Sequence, residues 1–243
     1  MVHSPPHPSR FINSGNVVPE GPSKSTSTRA LAAEGCHLIL TGRTLPPLEK
    51  ASRELAQKGI RVLAAACDVR DPARVRALAA RAKKQFRRIH ILINNAGIAH
   101  ASLPVEKLPH QDWQAVIDTN LTGTFLVTQA VLPLMRRGGT IVNNLSIAAT
   151  RVFAGSSAYN ASKHGALGLT NTLREELRPQ GIRVVALLAG ATDTEIWNSL
   201  WPDAPRKKMM SAEIVAQALV STLTLPANST VEELKILPSG GTL

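Results

Sequence analysis

Aromatic side chains are scarce in this chain: Phe, Trp and Tyr together make up 3% of its 243 residues. Cysteine is scarcer still, with only Cys36 and Cys67. Acidic residues are outnumbered, 17 against 28 lysines and arginines, which leaves a net charge of +11. No apolar run approaches the roughly 18 uninterrupted residues of a membrane-spanning helix. Each scarcity excludes something. The two cysteines sit in separate apolar, strand-like runs and read as buried thiols in a reducing compartment, rather than as a disulfide or a metal site. The opening MVHSPPHPSRFINSG has no apolar stretch of the kind that forms a secretory signal. The expectation is a cytoplasmic protein with no membrane partner. The seven histidines show no H-x-x-x-H or similar spacing, so no metal is assigned.

The surplus of positive charge raises the question of nucleic acid. Eight basic residues fall in one segment: Arg70, Arg74, Arg76, Arg81, Lys83, Lys84, Arg87 and Arg88. They decorate an amphipathic helix whose other face carries Val75, Leu78, Ala79 and Ala82. Phe86 is the only ring among them, and no zinc or recognition-helix motif accompanies them. A solvated basic face is the better reading, and a nucleic-acid partner is not expected.

What the chain does have is a hydrophobic fraction of 44% and a regular alternation of apolar runs with helical patterns. Strands are expected at 37–41, 61–67, 89–94, 140–145, 182–188 and 234–237. Helices are expected at 47–59, 72–86, 111–136, 157–178 and 212–223, with a helix end at 31–35. Continuously apolar strands that alternate with helices predict a parallel sheet covered on both faces. Right-handed crossovers then give an α/β, doubly wound single domain. Residues 1–29 stand apart. They carry Pro5, Pro6, Pro8, Pro19 and Pro22 and many serines, and only Phe11-Ile12 and Val17-Val18 suit a strand. The expected organisation is a poorly ordered leader, 1–29, followed by a domain, 30–243.

Tyr159 and Lys163 lie four residues apart on an expected helix and so share a face. An ammonium beside a phenol favours the phenolate, which draws the tyrosine toward the working pH that a general acid/base needs. Ser146 ends a strand at the carboxyl edge, where open α/β sheets bind ligands, and its hydroxyl can stabilise charge on a carbonyl oxygen. Tyr-x-x-x-Lys alone is a weak signal, and the surrounding segments strengthen it. They are Cys67-Asp68-Val69, Asn94-Asn95-Ala96-Gly97, Asn120 in Asp-Thr-Asn-Leu-Thr-Gly, Ser146 thirteen residues before Tyr159, Tyr159-Asn-Ala-Ser-Lys163, and Gly190 to Thr194. In that order and spacing, over about residues 29–243, the chain resembles the short-chain dehydrogenase/reductase family.

The resemblance implies a Rossmann fold, a nicotinamide cofactor and interconversion of a carbonyl with an alcohol. It implies catalytic roles for Asn120, Ser146, Tyr159 and Lys163: the tyrosine handles the proton, the lysine also holds the nicotinamide ribose, the serine positions the carbonyl, and the asparagine kinks a helix and anchors a relay water. It implies cofactor contacts at Asp68, Val69, Asn95, Ala96, Gly97, Tyr159, Lys163, Thr192 and Thr194. It also implies a homodimer or homotetramer through helices 111–136 and 157–178. The second strand ends in Thr41-Gly42-Arg43, without the acid that would bind a ribose 2′-hydroxyl. Arg43 suits a 2′-phosphate instead, so NADP(H) is favoured over NAD(H). Trp197 and Trp201 fall in the segment matching the family's mobile lid, where they either line an apolar pocket or pack the lid or a subunit contact.

One departure is severe. The family opens with an apolar strand and a glycine-rich turn that cradles the pyrophosphate. The three glycine positions fall here on Val18, Pro22 and Lys24, and proline has no N–H to offer. The first strand and glycine turn are therefore abnormal. Either the chain has diverged, or a reading-frame slip lies upstream of residue 29. Codons for Val18 to Ser23, read two bases later, can encode Thr-Gly-Gly-Thr-Lys. Three functions stay open: a carbonyl/alcohol oxidoreductase, a catalytically silent relative with impaired cofactor binding, and a regulatory or nucleic-acid-associated protein of the same fold.

Overall fold

The computed structural model describes residues 10–14, 26–226 and 228–241. In chain order the strands are β1 (Arg10–Ser14), β2 (His37–Gly42), β3 (Val62–Ala66), β4 (Ile91–Asn94), β5 (Thr140–Asn144), β6 (Arg183–Ala189) and β7 (Glu233–Ile236). The helices are α1 (Thr26–Ala33), α2 (Leu45–Ala56), α3 (Pro72–Phe86), α4 (His110–Ile117), α5 (Gly123–Val131), α6 (Ser157–Leu177), α7 (Trp197–Leu200) and α8 (Ala212–Leu223). All seven strands are parallel, in the order β3-β2-β1-β4-β5-β6-β7. The doubly wound α/β fold expected from the alternation is therefore present. The order reverses direction at β1 and β4, and such a switch point opens a crevice at the carboxyl edge of the strands.

Successive strand side chains point to opposite faces, and the core divides accordingly. Ile39, Leu92, Ile141 and Val184 pack on one face with Val75 and Leu78 of α3, Val127 of α5 and Leu173 of α6. Leu38, Leu40, Ile93, Val142 and Val185 pack on the other with Leu31 of α1, Leu48 and Leu55 of α2, and Leu219 of α8. Cys36 and Cys67 are buried and unpaired with each other. Asp71 caps α3 by accepting from the backbone of Ala73 and Arg74, and the helix turns its basic residues outward. No helix among the described residues is long and apolar enough to cross a membrane.

The structure departs from the expected 1–29 leader. Arg10–Ser14 forms the central strand, hydrogen-bonded to β2 on one side and β4 on the other, with Phe11 opposite both Leu38 and Ile91. Helix α1 begins at Thr26. The reason is backbone accounting: β2 and β4 are buried, and each needs a neighbour for its inward peptide groups. The segment between Pro8 and Pro19 is free of proline and can supply a ladder. The Val18, Pro22 and Lys24 positions lie outside the described residues.

A second difference concerns the helix expected at 111–136. It is divided into α4, a π-helical turn at Asp118–Thr122, α5 and a short 3-10 turn at Leu132–Leu134. Asn120 sits in the π turn, a wider form that often marks functional positions.

Candidate active site

Three elements bring the expected catalytic residues together. Ser146 follows β5 and caps the 3-10 turn Ile147–Ala149, accepting from the Ala148 N–H at 3.1 Å. Tyr159 and Lys163 lie one turn apart on α6, and the Lys163 ammonium stands 5.6 Å from the centre of the Tyr159 ring. All three line one cleft of about 820 Å³ at the carboxyl edge of the sheet. Tyr159 is the only tyrosine of the chain.

The electrostatics differ from the sequence expectation. Burial pushes the Tyr159 phenol above its ordinary value of 10.0, and a hydrogen bond from the Ser146 hydroxyl opposes that rise. Burial also brings the Lys163 ammonium down from 10.5 to about 8. Desolvation penalises whichever form is charged, so it acts in opposite directions on the two groups. At neutral pH the pair is a protonated phenol beside a charged lysine. That state gives up a proton, which suits reduction of a carbonyl.

Lys163 has a stability consequence. Between about pH 8 and 10.5 the unfolded chain holds a proton on this lysine that the folded chain has released. Stability therefore rises with pH across that window. The two cysteines, raised to about 11 from 9.0, act in the opposite sense above pH 9. Comparison with Lys163→Met isolates the lysine. Denaturant unfolding at both ends of the window should show wild type gaining stability relative to the variant, and parallel curves would contradict a buried ammonium.

Asn120 does not line the cleft but holds its wall from behind. Its Oδ1 accepts from the Ile98 N–H at 2.9 Å, while its Nδ2 donates to the Ile98 carbonyl at 2.9 Å and to Ser162 Oγ at 3.0 Å. The turn Asn95–Gly97 lies against it. A methyl group added at Gly97 would sit 3.5 Å from Asn120 Oδ1 and 3.7 Å from Lys163 Nζ, so a larger residue would fill this floor. Gly123 is tighter: a methyl there would fall 2.6 Å from Val69 Cγ2, closer than packed carbons approach.

Beneath the site runs a polar ladder that motif reading missed. Asn94 Nδ2 donates to Thr128 Oγ1 and to Asn143 Oδ1, and Asn143 Nδ2 donates to Thr170 Oγ1 at 2.8 Å. All four residues are buried. One position further, Asn144 donates to Asn95 Oδ1, and its carbonyl accepts from Lys163 Nζ at 3.0 Å. Paired asparagines closing two neighbouring strands, Asn94-Asn95 and Asn143-Asn144, were the available signal.

The cleft also reaches the end of β2, beside a side pocket at the end of β3. Arg43 lines the cleft, and also this side pocket, formed with Asp68, Val69, Arg70, Ala96 and Gly97. The Asp68 carboxylate is held by Arg70, whose Nη2 donates at 2.6 Å and Nε at 3.0 Å, and these bonds keep its pKa below the ordinary value. Arg70, expected only as part of a basic face, thus belongs to this end of the site. On the other side, Thr192 and Thr194 line the cleft, and Thr192 Oγ1 donates to the Gly190 carbonyl at 3.0 Å. The 193–208 segment is tied down by Arg206, which donates to Asp193 Oδ1 at 2.8 Å, the Thr194 carbonyl at 2.6 Å and Asn198 Oδ1 at 2.7 Å.

These features fit a dinucleotide. The floor at Gly97 is open, and Ser27 in the first turn of α1 lines the same cleft, where a helix N-terminus favours phosphate. Among the described residues Lys163 donates to the Asn144 carbonyl, and an ammonium carries three donors.

Residues 25–205 match the family described as short chain dehydrogenase. Sulfoacetaldehyde reductase 2 of Chromohalobacter salexigens is 36% identical over 227 residues, covering 88% of each chain. Sepiapterin reductase of Chlorobaculum tepidum is 34% identical over 206 residues, covering 84% of each. Among solved structures, an alcohol dehydrogenase from Thermococcus sibiricus complexed with 5-hydroxy-NADP superposes with a TM-score of 0.88 at 26% identity, covering 96% of this chain and 97% of that one.

Proposed function

Because the chain belongs to the short-chain dehydrogenase family of NAD(P)-dependent oxidoreductases, we propose that it reduces a small-molecule carbonyl to an alcohol, with NADPH as reductant and Tyr159 as proton donor. The observation that carries this reading is the convergence of Ser146, Tyr159 and Lys163 on one cleft, with the phenol kept protonated by burial. When bound, the nicotinamide supplies a hydride. The chain supplies the rest. Ser146 orients the carbonyl oxygen by hydrogen bonding. Tyr159 transfers its proton to that oxygen as negative charge builds there. The Lys163 ammonium, charged below about pH 8, stabilises the phenolate that remains. Asn120 keeps the Ile98 wall and Ser162 in place behind them.

Asn95, Ala96 and Gly97 would meet the adenosine side of the cofactor, Asp68 and Val69 the adenine, and Thr192 and Thr194 the carboxamide and phosphates. Arg43 at one end of the cleft supports NADP(H) over NAD(H), since a guanidinium pairs well with a 2′-phosphate, whereas the Arg70 guanidinium is engaged by Asp68. Removing one such contact costs about 1.5–3 kcal/mol. Arg43→Ala should therefore raise the Kd for NADPH by about tenfold or more and leave that for NADH nearly unchanged, as measured by calorimetry. Equal losses would reject the preference. The reading includes a cytoplasmic homodimer or homotetramer through α4, α5 and α6, supported by Phe125 of α5, which is 43% exposed.

A further inference from the structure

One wall of the cleft is a single stretch of chain. Thr192 and every residue from Thr194 to Trp201 line it, polar and apolar side chains together. Little in this stretch holds itself in place. Its helix, α7, is four residues long, and a helix that short does not persist on its own. None of the residues from Thr192 to Trp201 is buried, so the hydrophobic core contributes little to fixing it. Its position therefore depends on tertiary hydrogen bonds.

At its root, the Met210 N–H donates to the Ala191 carbonyl at 3.0 Å and the Asp193 N–H to the Met210 carbonyl at 2.9 Å. Further out, the Trp197 Nε1–H donates to the Thr192 carbonyl at 2.9 Å, which seats the ring. The returning chain then supplies Arg206. Its Nη1 reaches Asp193 Oδ1 and the Thr194 carbonyl, and its Nη2 reaches Asn198 Oδ1. A guanidinium holds its donors in one rigid plane. Arg206 therefore fixes three points of the wall at once, and two of the residues it grips, Thr194 and Asn198, line the cleft. The Arg206 and Asp193 side chains are 28% and 54% exposed, so solvent weakens their charge attraction. The geometry of the fork carries the effect.

We propose that Arg206 is a positioning residue: it holds Thr194 and Trp197 in the cleft wall and thereby sets the affinity for the nicotinamide end of the cofactor. This rests on the cofactor contacts proposed above. A cation can also attract the cofactor phosphates from a distance, and substitution separates the two roles. Arg206→Lys keeps the charge and loses the planar fork, whereas Arg206→Gln loses both. The chain has three tryptophans, so in a Trp113→Phe, Trp201→Phe background the emission reports Trp197 alone. Without cofactor, both Arg206 variants should shift that emission to the red and raise its quenching by acrylamide. In the otherwise native sequence, calorimetry should give both variants a Kd for NADPH at least about fivefold higher. Thermal unfolding and the ultraviolet titration of Tyr159 should stay close to wild type, because the bonds of Arg206 go to Asp193, Thr194 and Asn198. A Lys variant that binds NADPH like wild type assigns Arg206 a charge role and overturns the proposal, as does unchanged Trp197 emission or an unchanged Kd in both variants. Wild type that binds no NADPH refutes the cofactor reading, and the emission of the unliganded variants still decides whether Arg206 positions the wall.

Discussion

Tyr159→Phe should lower kcat for the proposed carbonyl reduction by about 10²–10⁴-fold, the usual worth of a positioned general acid, while the variant should stay folded and keep its affinity for NADPH. Phe keeps the ring and its contact with the Lys163 ammonium and removes only the phenol oxygen and its bond to Ser146. Loss of activity with intact cofactor binding therefore reports the proton. Because the chain has a single tyrosine, ultraviolet titration of the wild-type phenol reads this residue alone. It should ionise above 10, as burial dictates. The kcat/KM for reduction should then fall as pH rises past about 8, where Lys163 loses its charge. A Phe variant with near-normal turnover would assign the proton to another group.

Asn120→Leu produces the other large effect, on stability and activity together. Leucine fills a similar volume but abandons the Ile98 N–H, the Ile98 carbonyl and Ser162 Oγ. Ser162 retains its bond to the Tyr159 carbonyl, and the half-buried Ile98 groups gain partial access to water. The net loss should be about 2–4 kcal/mol, from roughly 1–3 per unpaired group, or a fall in Tm of about 4–16 °C for a chain of this size. Turnover should drop as well, because the wall at Ile98 and the Ser162 hydroxyl behind Tyr159 lose their partner. A variant within about 0.5 kcal/mol of wild type, the range of an ordinary surface change, would show that Asn120 does not organise the site.

The parts of this molecule that follow local rules were readable before the structure. Helix α3 runs over the expected residues because Asp71 caps it, Pro72 opens it and Val75, Leu78 and Ala82 form one stripe. The strands alternate across two cores because Leu38/Ile39 and Leu92/Ile93 obey the two-residue period. Tyr159 and Lys163 meet because four residues make one helical turn.

What stayed hidden depends on distant partners. The π turn in the expected 111–136 helix is coupled to bonds between Asn120 and Ile98, 22 positions apart in sequence. The ladder from Thr128 through Asn94 and Asn143 to Thr170 crosses two strands and two helices. The direction of the Tyr159 shift follows from burial, which Tyr-x-x-x-Lys does not encode, and attraction to lysine alone points the other way. The central position of Arg10–Ser14 is set by the needs of β2 and β4 more than by its own composition.

Whether this chain carries out the reaction is tested most directly by following the hydride. Wild-type protein is given NADPH with deuterium at the transferable nicotinamide position, together with each of a panel of small aldehydes, and the product is analysed by mass spectrometry. The account predicts an alcohol with deuterium on its carbinol carbon, formed by wild type and about 10²–10⁴-fold more slowly by Tyr159→Phe. Aldehyde recovered unchanged despite bound NADPH, or label transferred equally fast by the Phe variant, would contradict it.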